Sequence, residues 1–286
     1  MNEEDFPSLY LDANTVSMRA QKNFIRANLG VIVGSVIIGA LGMVDDFPPV
    51  VIVQIVLGIV VVVGSLYLLF GKPQTIWYST RALAESIKTI SWKYVSRAEP
   101  FNVSTVESSV KFRSMVSEIL RANDEAKALR FESAHTDLIT ESMVQIRESN
   151  LDSRKGIYLT DRVDDQLKWY KRKSSWNDLR SKGWYTGLIF ISLIVLSISF
   201  AKLRYNFEVS VDWMFSIPIA VLGWIQLKRF QELASSYSLT AHEIVFAKNE
   251  LAQVNREDQF SDFVGNTENA FSREHTQWFA RKDLGY

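Results

Sequence analysis

Residues 48–70 read PPVVIVQIVLGIVVVVGSLYLLF, 23 residues without a single charge. As a helix this stretch spans roughly 34 Å, enough to cross a hydrocarbon core of about 30 Å. A buried strand of the same composition would run only four to eight residues. The run therefore predicts a transmembrane helix, and the chain around it is read from that point. Just upstream lies a second uncharged run, ANLGVIVGSVIIGALGMV, over 27–44, joined to the first by Asp45, Asp46 and Phe47. So short a link forces an antiparallel hairpin. The same arrangement recurs downstream. GWYTGLIFISLIVLSISFA covers 183–201, and VSVDWMFSIPIAVLGWIQL covers 209–227, with Asp212 as its one charge. Pro218 also lies in this fourth run; a proline is tolerated in a membrane helix where neighbours satisfy the freed carbonyl.

Basic residues cluster on one side of these runs. Arg19, Lys22 and Arg26 precede the first, and Lys72 follows the second. Lys171, Arg172, Lys173, Arg180 and Lys182 precede the third, and Lys228 and Arg229 follow the fourth. The opposite side has only Lys202 and Arg204. The positive-inside rule places both termini and the long middle segment in the cytoplasm.

Between the runs the chain is strongly charged, yet Lys+Arg and Asp+Glu balance at 32 each among 286 residues. A zero net charge argues against a nucleic-acid binder, which needs a positive field to displace counterions from phosphate. The absence of cysteine excludes disulfides, thiolate nucleophiles and cysteine metal sites. His135, His242 and His275 have no metal-ligand spacing. The acidic start, MNEEDFPSLYLDANTVS, has no apolar core of a signal peptide. No phosphate-binding glycine loop, zinc-protease motif or nucleophile elbow occurs. No cofactor and no enzymatic activity are expected.

The polar segments read as helices. Trp77, Leu83, Ile87, Ile90 and Tyr94 share one helical face, in a helix expected to continue, or nearly so, from the second run until Pro100 stops it. Residues 104–148 read as one or two charged helices, 150–156 as a linker, and 158–182 as a basic helix entering the membrane. Phe230, Leu233, Tyr237, Ala241, Ile244, Leu251 and Val254 repeat in heptad-like steps. A last helix is expected over 258–281. The expected fold is an all-α membrane protein: two transmembrane hairpins, four membrane helices in all, extended into a cytosolic helical bundle. The division is 1–150 for the first hairpin with its cytosolic helices and 151–286 for the second.

Within the membrane runs, Gly30 and Gly34 have the spacing that lets helix backbones approach. The polar side chains Ser35, Gln54, Asp212 and Ser216 are the candidates for lining a pore. Serines there commonly bond back to their own helix. The Gln54 amide needs either a neighbouring helix or a wet lumen. Asp212 either reaches headgroup water or lines a cation-favouring vestibule.

Three further patterns carry a resemblance. The tail reads ENAFSREHTQWFAR over 268–281, including Glu274, His275 and Trp278. Tyr158, Arg162, Gln166, Trp169, Tyr170 and Lys173 precede the third run, and Trp77, Arg81, Ala84, Glu85, Lys88, Trp92 and Tyr94 follow the second, ahead of Pro100 and Phe101. Together they resemble the SLATT family, the SMODS and SLOG-associating two-transmembrane effector domains of bacteria, with two subtypes in tandem. The resemblance implies a role in conflict systems that breach the inner membrane, with pore formation as the implied mode. Its implied partners are the lipid bilayer, further copies of the chain, and a separate nucleotide-sensing or signalling protein. Arg81 with Glu85, and Arg273 with Glu274, are expected as register-fixing ion pairs. A membrane-anchored scaffold that recruits a defence partner is the alternative reading; a small transporter is a third.

Overall fold

In the computed structural model, residues 1–43, 48–205 and 210–283 are described, with side chains as far as Phe271. Every regular element among them is helical. α1 (Ser8–Leu41) includes the first apolar run and begins well ahead of it. α2 (Pro48–Phe70) has the bounds expected from the sequence. α3 (Pro73–Val95) is a separate helix rather than a continuation of α2. The break lies at Lys72, whose φ of 43° is left-handed, and Pro73 then supplies the first-turn residue of the new helix. α3 ends at Val95, ahead of Pro100, and Arg97 follows with φ 53°.

α4 (Thr105–Arg121) starts where the Ser104 hydroxyl accepts the Glu107 N–H. α5 (Glu141–Glu148) is capped in the same way by Thr140. The expected linker over 150–156 is instead helical: Asn150 accepts the Ser153 N–H at 2.8 Å and opens α6 (Leu151–Ile157). An asparagine at the head of a helix and a glycine within it read as loop residues in sequence, but the cap decides. A π-helical stretch, Tyr158–Asp164, joins α6 to α7 (Asp165–Tyr205), so residues 151–205 form one uninterrupted rod.

α1, α2 and this rod are each long and apolar enough to cross a membrane. The expected fourth span over 209–227 differs. Val209 lies outside the described residues, Asp212–Phe215 form a 3-10 turn, and α8 (Ser216–Lys228) has 13 residues. At 1.5 Å per residue α8 is about 20 Å long, short of a 30 Å core by itself. Pro218 explains the late start. It has no N–H to donate and so belongs in a helix's first turn. Arg229, at φ 49°, ends α8. α9 (Phe230–Leu251) and α10 (Glu257–Asp283) complete the chain.

The residues group into two compact units. One comprises Met1–Gln21, Gln74–Lys171 and Ser238–Tyr286; the other comprises Lys22–Pro73 and Arg172–Tyr237. Each draws on both sequence halves, 1–150 and 151–286. The first unit, here the polar unit, has a core of Leu83, Ile87, Trp92, Tyr94, Phe101, Phe112, Tyr158 and Phe260. The second, the apolar unit, holds the long apolar runs. α2 within it has no buried residue, and Leu69 and Phe70 are 63% and 74% exposed.

Candidate functional site

The polar unit buries charge, and a fully buried ion pair stands at its centre. The π-helical stretch presents Tyr158 and Arg162 to α10. Arg162 Nε donates to Glu268 Oε1 at 2.8 Å, and its Nη2 donates to Oε2 at 2.7 Å. The Tyr158 hydroxyl donates to the same Oε1 at 2.9 Å. Arg162 and Glu268 side chains are 2% and 0% exposed. The guanidinium also lies 4.7 Å from the Phe271 ring centre. Burial alone would push Arg162 down; the Glu268 charge and hydrogen bonds outweigh it and hold the group above its ordinary range. Burial, followed by the Glu268 charge, pushes the Tyr158 hydroxyl well above its usual value.

α3 forms the other wall. Glu85 pairs with Arg81 at 2.5 Å, and Arg81 donates to Asn14 Oδ1 on α1 at 3.1 Å. Lys88 Nζ lies over Phe6 and Tyr10, 5.6 and 5.9 Å from their ring centres. Burial and then the like charge of Arg162 lower the Lys88 ammonium. Burial, with Glu85 and Glu3 behind it, raises the Tyr10 hydroxyl. Trp92 packs edge-on to Tyr158 at 5.7 Å and to Phe6 at 6.1 Å.

Two more arginines are buried nearby in the same unit. Arg147 donates to the carbonyls of Tyr94, Phe101 and Val103 and to the Ser108 hydroxyl, at 2.7–2.9 Å. It is stacked 4.8 Å from the Tyr94 ring centre, and its burial lowers it. Arg154 donates to Ser96 O and pairs with Glu257. Both hold the turn after α3 by its carbonyls, as a guanidinium with five fixed donors is suited to do.

Of the motif residues, Arg81 and Glu85 form a partly exposed ion pair, Trp92 is in the core, and Trp169 meets Tyr170 edge-on at 5.0 Å. Arg273, Glu274, His275 and Trp278 have side chains outside the described residues. Sequence reasoning did not join Arg162 to Glu268, which are separated by 106 positions. Each stood in a motif, but no local spacing links them. Arg147 and Arg154 carried no signal beyond being basic residues in polar helices.

The apolar unit satisfies its polar groups differently. Ser35 donates to Val31 O at 2.9 Å and Ser65 to Val61 O at 2.8 Å. Ser192, Ser197 and Ser199 likewise bond four residues back. Ser216 donates to Trp213 O, and Asp212 is exposed at the 3-10 turn. Gln54 is half-buried, and its amide has no hydrogen-bond partner among the described residues. Gly34 is packed: a Cβ there would sit 2.9 Å from Val61 Cγ2. Gly64 answers it, with a Cβ 3.1 Å from Val31 Cγ2. This reciprocal contact closes α1 on α2, whereas Gly30 faces open space within the chain. Among the described residues no group of three or more His, Asp or Glu is placed to hold a metal.

These features define a helical protein with a buried ion pair in a polar unit and bare apolar helices in another, the class of a helical membrane protein. Residues 7–155 match SMODS and SLOG-associating 2TM effector domain 3, and residues 158–278 match SMODS and SLOG-associating 2TM effector domain 1. The chain belongs to the SLATT family and carries two of its effector domains in tandem. No curated protein and no solved structure matched it.

Proposed function

We propose that this chain is a bacterial inner-membrane effector of a conflict or antiphage system, and that it conducts ions as a homo-oligomer when triggered through its polar helices. The Gln54 amide carries this reading. It sits two turns into an uncharged, lipid-length helix and has no partner among the described residues. In hydrocarbon such an amide costs several kcal/mol. Another copy of the chain, or water along an axis, supplies what one protomer lacks. The four membrane limbs of one protomer are too few to enclose an aqueous path, so several copies are needed.

In this reading α1 and α2 form one hairpin, and α7 with the Asp212–Lys228 limb forms the other. The basic flanks support a cytoplasmic side for both termini. The trigger comes from a separate nucleotide-sensing or signalling protein acting on the polar unit. The protein acts by conduction, with no catalytic step and no cofactor.

The test is membrane potential in bacterial cells overexpressing the full chain, where high concentration assembles the oligomer without its trigger, read with a potential-sensitive dye. Depolarisation is expected, and Gln54→Leu should change its rate or extent. Normal potential in cells whose membranes contain folded, inserted protein would overturn the proposal. In detergent, mass measurement should find a closed oligomer; a monomer would overturn it equally.

A further inference from the structure

Just ahead of the third apolar run and just after the fourth, the apolar unit gathers Lys173, Arg180 and Lys228 on one aromatic seam. The rod and the limb that returns to it run antiparallel there, as three contacts show. Trp184 faces Trp224 with ring centres 6.3 Å apart, Trp176 faces Phe230 at 6.4 Å, and Ser174 donates to Ala234 O at 2.8 Å. On this seam the Arg180 guanidinium lies 4.1 Å from the Trp176 ring centre, and Lys173 Nζ lies 5.5 Å from the same ring. Lys228 Nζ lies 5.5 Å from the Trp224 ring centre and 6.0 Å from that of Phe230. The charges of Arg180 and Lys173 bear directly on Lys228.

Like charges held together on aromatic rings repel one another, and ring faces relieve only part of that. The neighbouring basic residues show what a relieved cation looks like here. Lys182 pairs with Asp178 at 2.7 Å, and Arg229 pairs with Glu232. Arg180 and Lys228 have no ion-pair partner among the described residues. They stand three residues before the third run and one residue after the fourth. At the edge of a bilayer, the anion within reach is a phosphate.

We infer that Arg180 and Lys228, with Lys173 beside them, form a seat for the phosphate of an anionic phospholipid headgroup, whose acyl chains lie along the Trp184–Trp224 seam. A soluble phosphate offers the same chemistry, but it lacks the apolar tail that the aromatic seam accommodates. The seat requires that this unit be embedded in lipid, as proposed above, and does not require that it conduct.

The test is native mass spectrometry of the full chain in detergent, with phosphatidylglycerol or phosphatidylcholine added. Wild type should retain phosphatidylglycerol in preference to phosphatidylcholine. At about fivefold per surface cation, Lys228→Gln should weaken phosphatidylglycerol binding about fivefold, and Arg180→Gln with Lys228→Gln about twenty-five-fold. Phosphatidylcholine retention should not change, and Lys182→Gln should bind as wild type. Vesicle flotation and thermal melting of each variant separate loss of the seat from loss of insertion or fold. Equal retention of the two lipids, or unchanged phosphatidylglycerol binding in a folded double variant, would overturn the assignment. So would displacement of the lipid by millimolar inorganic phosphate, which would assign the seat to a soluble anion.

Discussion

The polar and apolar units solve the same problem, the satisfaction of polar groups away from water, in opposite ways. In the polar unit the buried arginines reach remote partners. Arg162 reaches across 106 positions to Glu268, and Arg147 ties together carbonyls of the turn after α3. In the apolar unit, serine after serine turns back to a carbonyl four residues earlier on its own helix. Long-range polar bonds make the first unit depend on one folded arrangement. Locally closed polar bonds leave each helix of the second complete by itself, as an inserted helix must be before it meets a neighbour. The helices then associate by shape, Gly34 against Val61 and Gly64 against Val31. Gln54 stands outside both patterns.

The most damaging change should be Arg162→Leu. It strands the Glu268 carboxylate in the core, at a cost of about 3–5 kcal/mol. A large fall in the melting temperature of the purified chain is expected, and converting both residues to leucine should recover part of it. Unchanged melting in Arg162→Leu would show that the polar unit does not depend on this long-range pair.

Alkaline titration comes next. Tyr158 and Tyr10 are both held protonated more strongly in the folded chain than in the unfolded one. Their contribution is complete below the ordinary tyrosine value of about 10 and is lost as pH rises beyond it. Stability, followed by intrinsic fluorescence in denaturant, should therefore fall above about pH 10, and Tyr158→Phe should flatten the fall.

In the apolar unit, Gly34→Ile should overpack the α1–α2 contact at a cost of about 1–3 kcal/mol, while Gly30→Ile should be near neutral in the monomer. Thermal melting in detergent measures the difference. If both glycines behaved alike, shape would not be what holds this hairpin. The smallest effect is expected at Ser65→Ala, about 0.5 kcal/mol or less, because its hydroxyl bonds only to its own helix.

Much of this architecture is legible in the sequence, for identifiable reasons. The bounds of α2 are set by lipid-length hydrophobicity alone, which is a composition signal. The heptad-like pattern of α9 and the start of α10 follow from local periodicity. What was hidden depends on geometry. The cap that turns 150–156 into α6 is a single hydrogen bond from Asn150. The separation of α3 from α2 rests on one left-handed residue, Lys72. The shortness of α8 follows from where Pro218 falls in its first turn. The pairing of Arg162 with Glu268 requires the tertiary fold, and no spacing rule reaches that far. Gly30 and Gly34 read alike as a motif, and only the packed chain distinguishes them.

Among the described residues, the three left-handed ones, Lys72, Arg97 and Arg229, share a property that glycine could not have supplied. Each follows the end of a helix, and each is a cation. No described glycine has a positive φ. A side chain in this conformation costs about 1–2 kcal/mol, whereas a positive charge beside the last carbonyls of a helix returns about 0.3–1 kcal/mol. Arg97 donates to Arg147 O and Arg229 pairs with Glu232, which leaves Lys72 as the stop whose charge is open to the helix end. Concentrated salt should fray α2 at its end, where a glycine stop would be indifferent to it.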